Sequence, residues 1–373
     1  MSCKKLKLSS NGKAVSWSLL TANGSPCNWT GITRDGDKKV AKIDLLDYNL
    51  GGHLPRICEG GSLIRFTAWD NHFTGSIPIS LRECKSIEKI WLQNNQLTRN
   101  LSEGFGVYPS LSNIDISYNR FYGELSSDWG DCQNLTMLKF EKNNITGRIP
   151  PHIGQLTQLR ILDLSSIRLQ GEIPSEVGKL SMLYNLNLND NKLSGPVPQE
   201  LGQLSNLELL DLSANNLNGP IPEKIEECTK LMSLKLNRNN LNGSIPFHVG
   251  NLGNHGTILN LSQNRFTGEI PTQLGKLSKL ENLNLSHNMF SGFIPSSFKE
   301  LISLSSIDVS YNDLEGHLPN NRAFLNASPK AFIVNKGLCG EAQSLQPCNS
   351  TATSHGNRKK GRKYLVIIIL SAL

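Results

Sequence analysis

Charged and aromatic residues are sparse in this sequence, which limits the partners it can bind. Charged residues make up 18% and aromatic residues 6% of the 373 residues, and the charged fraction is below that of an average soluble domain. Nine basic residues lie in two acid-free segments, 1–13 and 349–363, so the formal net charge of +7 falls to −2 without them. A nucleic-acid-binding surface needs a basic stripe on the folded domain, and this composition argues against one.

Catalytic motifs are also missing. No glycine-rich loop, H-R-D or D-F-G segment occurs, so the sequence contains no recognisable protein kinase domain. The eight His residues are scattered, and none has the spacing of a metal site or of a nucleophile–base pair. We therefore expect no enzymatic activity, no metal and no cofactor.

Long apolar runs are missing as well. Residues 1–20 contain no uninterrupted apolar core of the kind that a signal peptide requires. The segment "YLVIIILSAL", residues 364–373, is ten residues long, whereas a membrane-spanning helix needs about 20. This segment is either a truncated membrane span or an apolar tail.

The sequence does contain a repeat. Twelve copies of L-x-x-L-x-L-x-x-N-x-L-x-G-x-I-P follow one another, mostly 24 residues apart. A period of 20–29 residues with this lettering is the leucine-rich repeat. The copies begin at Val40, Leu63, Ile87, Leu111, Leu135, Leu159, Leu183, Leu207, Leu231, Gly256, Leu280 and Leu304.

Each fixed letter has a structural reason. Leu283 and Leu285 alternate with exposed positions, which predicts a short strand with one buried face. The Asn at position nine, as in Asn288, can bond the backbone at the corner after the strand. The Ile-Pro ending is the plant-type variant. We predict an α/β repeat solenoid: a right-handed, curved superhelix with a parallel sheet on the concave face and 3-10 helices and loops on the convex face.

Three segments resemble plant leucine-rich-repeat receptor-like kinases. "SWSLLTANGSPCNWTGIT" (16–33) is similar to their N-terminal cap, and "NKGLCG" with the later "PC" is similar to their closing cap. The block 105–150, which begins "FGVYPSLSNIDISYNRFYGEL", resembles the subfamily related to receptors of serine-rich endogenous peptides, the MDIS-interacting receptor-like kinase type.

This resemblance implies a domain order. Residues 1–39 form a degenerate N-terminal cap, 40–321 twelve repeats, 322–348 the C-terminal cap, 349–363 a basic juxtamembrane linker and 364–373 the start of a truncated transmembrane segment. We expect the sequence to be clipped at both ends or to come from an incomplete gene.

The resemblance also implies a function. We expect a plasma-membrane receptor with an extracellular domain that senses an extended peptide in defence signalling, a co-receptor kinase ectodomain at the C-terminal repeats, and a cytoplasmic Ser/Thr kinase that is absent from this chain. The alternatives are a kinase-less receptor-like protein and a soluble inhibitor of a cell-wall hydrolase.

The cysteines divide into pairs and single thiols. The closing-cap resemblance implies a disulfide between Cys339 and Cys348. Cys84, Cys132 and Cys228 share one repeat column, and coils stacked about 4.8 Å apart place them too far from one another to bond. Cys132 and Cys228 should therefore be buried free thiols, while Cys58 can either bond Cys84 or stay single. Arg34 replaces the expected partner of Cys27. Cys3 is the only other nearby thiol, so Cys27 can either bond Cys3 or stay single.

Ten N-x-S/T sequons predict glycosylation and a secretory origin, although some of them follow from the repeat lettering itself. They are Asn23, Asn28, Asn100, Asn134, Asn144, Asn242, Asn260, Asn284, Asn326 and Asn349.

The exposed strand positions, which are two, three, five, seven and eight of each copy, give the candidate ligand site. The last three copies carry small polar residues there, but the first five copies carry aromatic and charged ones, a composition typical of binding hot spots. We call these residues the early patch: Trp69, Asp70, Trp91, Gln93, Asp115, Tyr118, Lys139, Glu141 and Lys142. Alternatively, Trp69 and Trp91 only cover each other on adjacent coils.

Overall fold

The computed structural model describes residues 31–54, 56–58, 61–252, 256–342 and 345–348. One sheet of thirteen strands runs through these residues, and we call it the main sheet. Strands are numbered in chain order across all sheets. The main sheet consists of β1 Ile32–Arg34, β2 Val40–Asp44, β4 Arg65–Thr67, β6 Lys89–Trp91, β8 Asn113–Asp115, β10 Met137–Lys139, β12 Ile161–Asp163, β14 Asn185–Asn187, β16 Leu209–Asp211, β18 Ser233–Lys235, β20 Ile258–Asn260, β22 Asn282–Asn284 and β24 Ser306–Asp308.

The main sheet follows the repeat closely. Twelve of its strands, one from each repeat, are parallel, and β1 pairs antiparallel with β2 at the N-terminal end. Equivalent residues of neighbouring coils are in register, so that Leu138 lies beside Ile114 and Leu162. Each numbered position of the repeat therefore forms a straight column across the sheet, and the solenoid predicted from the sequence is confirmed.

A second set of parallel strands follows the corner of each coil and forms three shorter sheets. These sheets consist of β3 Gly51–His53, β5 His72–Ser76 and β7 Gln96–Thr98; β9 Tyr122–Glu124 and β11 Asn144–Thr146; and β13 Gln170–Gly171, β15 Lys192–Pro196, β17 Asn216–Gly219, β19 Asn240–Gly243, β21 Arg265–Gly268, β23 Met289–Phe293, β25 Asp313–His317 and β26 Gly337–Cys339.

Short helices complete the coils. Most are 3-10 helices that follow the Ile-Pro segment, where Pro fixes an extended backbone before the helix begins. The 3-10 helices are Ile79–Leu81, Ser127–Asp131, Pro151–Gln155, Ser175–Lys179, Gln199–Gln203, Glu223–Glu227, Phe247–Asn251, Thr272–Lys276, Ser296–Glu300 and Pro329–Phe332, and the α-helices are α1 Leu101–Gly104 and α2 Arg322–Asn326.

The Asn column connects neighbouring coils. In one coil, Asn215 Oδ1 accepts a hydrogen bond from Leu193 N at 3.0 Å, while its Nδ2 donates to Leu188 O and Leu212 O at 3.0 and 3.2 Å. This pattern recurs in most coils, and it satisfies corner backbone groups that water does not reach. Ile167 replaces the Asn in one coil and is buried there instead.

Two disulfides close the ends of the described solenoid. Cys58 bonds Cys84, a pairing that the sequence left open, and Cys339 bonds Cys348. Cys132 and Cys228 are free and buried. Cys27 lies outside the described residues, as do most of the predicted N-terminal cap and the whole segment 349–373.

Candidate functional site

Each strand of the main sheet ends in a tight turn whose side chains bond one another. In the coil of β8, Ser117 Oγ donates to Asp115 Oδ1 at 2.5 Å, which closes a local turn after the strand. The same contact joins position seven to position five in the pairs Ser165–Asp163, Ser213–Asp211, Ser262–Asn260, Ser286–Asn284 and Ser310–Asp308. In these coils, the polar side chains at positions five and seven hydrogen-bond each other. Fewer of their donors and acceptors therefore remain free to bind another molecule.

Two coils of the early patch, those of β6 and β10, interrupt this pattern. The coil of β6 has Trp91 and Gln93 at positions five and seven, and the coil of β10 has Lys139 and Glu141 there. Within the described residues, six buried side-chain polar atoms have no hydrogen-bond partner, and three of them are Trp91 Nε1, Gln93 Oε1 and Glu141 Oε2. A buried polar atom without a partner is unfavourable, so these coils retain unused donors and acceptors.

Charges of both signs meet at β10. Lys139 Nζ lies 3.2 Å from Glu141 Oε1 and 3.6 Å from Asp115 Oδ2. Asp163, on the other side of Lys139 in the sheet, accepts a hydrogen bond at Oδ2 from Asn187 Nδ2 at 3.0 Å. Three carboxylates therefore surround a single ammonium.

Burial changes the titration of this cluster. The pKa of Glu141 is raised to about 7, mainly by loss of solvation and also by the negative charges of Asp163 and Asp115, while Lys139 acts to lower it. The carboxylates raise the pKa of Lys139 in spite of its partial burial, which acts to lower it. Lys139 therefore stays protonated at neutral pH, whereas Glu141 is close to its midpoint.

Two predicted site residues are less accessible than their repeat positions indicated. Asp115 is 6% and Glu141 8% exposed. Position seven was predicted to face solvent, but this was wrong for six of the twelve coils, where that side chain is buried. In the coil of β8, for example, the turn after the strand folds Ser117 back towards Asp115 at position five. Tyr118 and Lys142 at position eight are exposed as predicted.

The remaining early-patch residues are half-buried. Trp91 lies under Lys89, whose Nζ is 4.2 Å from the ring centroid. Asp70 accepts a hydrogen bond from Asn94 Nδ2 at 2.6 Å. Among the ring contacts of the described residues, none joins Trp69 to Trp91. Trp69 and Trp91 therefore do not stack ring on ring, and the mutual cover of these two residues stays an alternative.

Sequence reasoning missed residues in the middle of the solenoid and near its C-terminal end. Asp163 completes the charge cluster at β10, and its place in the same column as Lys139 was the available signal. Near the C-terminal end, the rings of His287 and Tyr311 stack with centroids 4.1 Å apart, and Phe293 is 63% exposed. The prediction from the sequence considered only the small polar residues of these coils and overlooked the aromatic residues at other positions.

The predicted glycosylation sites lie in different environments. Asn134, Asn144, Asn242 and Asn326 are exposed, and Asn100 caps α1 by accepting a hydrogen bond from Ser102 N. Asn260 and Asn284 lie on main-sheet strands, where Ser262 and Ser286 donate to their Oδ1 atoms. Asn23, Asn28 and Asn349 lie outside the described residues.

The described residues contain neither a metal-binding cluster nor a membrane-spanning helix. No group of three or more His, Cys, Asp or Glu side chains there could hold a metal ion. No helix in that part of the chain is both long and apolar enough to cross a bilayer.

The sequence matches leucine-rich-repeat family models and plant receptor kinases. Two models, each described as a leucine rich repeat, match residues 257–314 and residues 134–156, 158–180, 182–204 and 206–228. A leucine-rich repeat receptor-like serine/threonine-protein kinase of Arabidopsis thaliana is 40% identical over 79 residues, which is 21% of this chain and 7% of the kinase. Receptor-like protein kinase 7 of the same plant is 31% identical over 102 residues, which is 27% of this chain and 10% of the kinase.

Solved structures agree with these matches over a longer region. The structure titled PEPR1-AtPEP1 has a TM-score of 0.74 and 30% identity, over 92% of this chain and 50% of that one. The Arabidopsis receptor kinase HAESA, in complex with the peptide hormone IDA and the co-receptor SERK1, has a TM-score of 0.69 and 31% identity, over 80% of this chain and 53% of that one.

A similar solenoid also occurs in a protein of a different kind. A plant ice-binding protein has a TM-score of 0.62 at 22% identity, so very different functions share this solenoid.

The chain spans only about half the length of the receptor structures that it matches. The repeats, the parallel sheet and these matches make the chain a leucine-rich-repeat protein whose solenoid is similar to the ectodomains of plant receptor kinases.

Proposed function

We propose that this solenoid is the extracellular peptide-sensing domain of a plant leucine-rich-repeat receptor kinase. Two similar structures support this, since the HAESA structure contains a peptide hormone and a co-receptor, and the other is titled PEPR1-AtPEP1. In the complete protein, the solenoid would lie outside the plasma membrane, and a cytoplasmic Ser/Thr kinase would carry the signal.

The finer assignment is to the subfamily related to receptors of serine-rich endogenous peptides, with a role in defence. The block 105–150 supports it, and this block includes the strands β8 and β10 of the early patch. The subfamily resemblance and the candidate site therefore involve the same coils.

The observation that carries the peptide proposal is the set of unused polar atoms in the early patch. Trp91 Nε1 is a donor, while Gln93 Oε1 and Glu141 Oε2 are acceptors. An extended peptide presents donors and acceptors at regular intervals along its backbone, and these can pair with such atoms. The half-buried aromatic rings would supply apolar contact area.

The size of the patch suits a short peptide segment. Five coils span about 24 Å at the usual strand spacing, and an extended chain covers at most about 3.3 to 3.6 Å per residue. Roughly seven peptide residues would therefore cross the early patch.

A co-receptor ectodomain would bind at the opposite end of the solenoid. The stacked pair His287 and Tyr311 lies there, directly after strands of the main sheet, and aromatic residues are enriched in protein interfaces. Separate surfaces would let peptide and co-receptor bind at the same time.

The peptide proposal is tested by selecting random linear peptides displayed on phage against the full chain. Selected peptides should lose at least about 30-fold in affinity, or about 2 kcal/mol, when Trp69→Ala and Trp91→Ala are combined, because aromatic anchors dominate such interfaces. Calorimetry measures the affinity, and circular dichroism checks that the variant folds, since both tryptophans are half-buried.

Tyr122→Ala is the matched control, because Tyr122 is 48% exposed but lies on β9, outside the main sheet. Its affinity for the selected peptides should equal that of the wild type. Failure to enrich any peptide, or equal affinity in the folded double variant, would contradict the proposed function.

A further inference from the structure

Negative charge exceeds positive charge at the centre of the early patch. Lys139 of β10 lies in register with Asp115 of β8 on one side and Asp163 of β12 on the other. Glu141 follows two residues later, and its Oε1 is 3.2 Å from Lys139 Nζ. One ammonium faces three carboxyl groups at this place.

The hydrogen bonds in the cluster leave one acceptor atom unused. Asp115 accepts from Ser117 at Oδ1 and faces Lys139 at Oδ2, while the two oxygens of Asp163 accept from Ser165 and Asn187. Glu141 Oε1 faces Lys139, but Oε2 has no partner, although the residue is only 8% exposed. A buried carboxylate oxygen in this state would gain from a donor supplied by another molecule.

A second lysine in the same column shows the balanced arrangement. Lys235 lies 3.5 Å from Asp211 Oδ2 on the preceding strand. Position seven of its coil is Asn237, which carries no charge, and the following strand offers Asn260 rather than an acid. One carboxylate balances one ammonium at Lys235. The additional carboxyl groups near Lys139 are those of Glu141 and Asp163, so they are a property of these particular residues and not a general feature of the repeat.

We propose that Glu141, flanked by Asp115 and Asp163, is a subsite for one cationic group of the bound peptide, which is a Lys or Arg side chain or the free α-amino group. This inference rests on the proposed peptide-sensing function and adds the chemistry of one ligand position. A cation at Glu141 Oε2 would supply the missing donor and neutralise part of the local negative charge.

The subsite should respond to pH. Burial, together with the nearby Asp163 and Asp115 and against the opposing effect of Lys139, raises the pKa of Glu141 to about 7. The other ionisable groups that end these strands are Tyr118 and Lys142, both exposed at position eight. A bound cation stabilises the ionised carboxylate, so binding at pH 7 should release about half a proton, and affinity should fall as Glu141 becomes protonated below that pH.

The first arm of the test changes the peptide and leaves the protein intact. The probes are peptides selected from a phage-displayed random library on the full chain. We expect a basic group at one fixed place, and its removal should weaken binding about tenfold or more. Citrulline replaces Arg, norleucine replaces Lys, and acetylation blocks the α-amino group, so the three changes distinguish the three sources of the cation.

The second arm changes the protein. Glu141→Gln keeps the side-chain size and should weaken the basic peptides about tenfold, leave their neutral versions unchanged, and abolish proton release, which is measured by calorimetry in buffers of different ionisation enthalpy. Glu172→Gln, at an exposed residue outside the main sheet, is the matched control and should behave as the wild type.

The outcomes separate this inference from the function on which it rests. Peptides that depend on Trp69 and Trp91 but lack a fixed basic group, or that bind Glu141→Gln and wild type equally, overturn the cationic subsite and leave the peptide-sensing function intact. A library that yields no peptide at all overturns both.

Discussion

At the scale of single residues, Glu141 should make folding depend on pH. Its pKa is about 7 in the folded chain, against an ordinary value of 4.5. The folded state therefore binds the proton more tightly than the unfolded state does. The resulting stabilisation is complete below about pH 4.5 and is lost as the pH rises through 7.

The corresponding prediction concerns Glu141→Gln. The variant should be more stable than the wild type at pH 8, by up to about 3 kcal/mol, and nearly equal to it at pH 4.5, because the shift of the pKa corresponds to about that free energy. Urea unfolding at both pH values measures the difference, with Glu172→Gln as the control. A difference that is the same at both pH values would show that Glu141 titrates normally.

At the scale of the repeated element, the corner Asn should contribute more than the strand-face residues to stability. Asn215 is 7% exposed and bonds backbone groups of its own coil and of the preceding coil. Asn215→Ala should reduce the free energy of unfolding by about 2 to 4 kcal/mol, since it leaves buried backbone groups without partners.

Its neighbour supplies the control for this measurement. Asn216 is exposed at the start of β17, so Asn216→Ala should change stability by no more than about 0.5 kcal/mol. Equal losses in the two variants, measured by chemical denaturation, would contradict the structural role of the Asn column.

At the scale of the whole molecule, the two proposed surfaces should act independently. Six strand spacings separate β10 from β22, which corresponds to about 29 Å. In a solenoid, each coil contacts only its neighbours. Binding at one of these surfaces can therefore affect the other only through the coils that lie between them.

The prediction for the co-receptor surface follows from this separation. Combining His287→Ala and Tyr311→Ala should leave the affinity for selected peptides unchanged and weaken association with a co-receptor ectodomain such as SERK1 at least about tenfold, because aromatic contacts at interfaces are often hot spots. Biolayer interferometry with the peptide present measures both, and Tyr122→Ala is the control. Unchanged co-receptor association in the double variant would place that surface elsewhere.

The repeat lettering by itself determined the architecture. Leu at alternating positions requires a strand with one buried face, and the Asn at position nine has a hydrogen-bonding role at each corner that does not depend on distant parts of the chain. Because every repeat folds into the same kind of coil, the strands of successive coils align in register in the main sheet. Twelve parallel strands could therefore be predicted before any contact was known.

Only the tertiary structure decided which side chains of the site are buried and which of their polar atoms have hydrogen-bond partners. The lettering treated Asp115 and Glu141 as exposed strand residues, but the turns after β8 and β10 bury them. Ser117 satisfies Asp115, whereas Glu141 Oε2 remains without a partner. Whether Cys58 bonds Cys84 was decided in the same way. These outcomes depend on side chains from neighbouring coils that meet only when the coils stack, and period and composition do not contain that information.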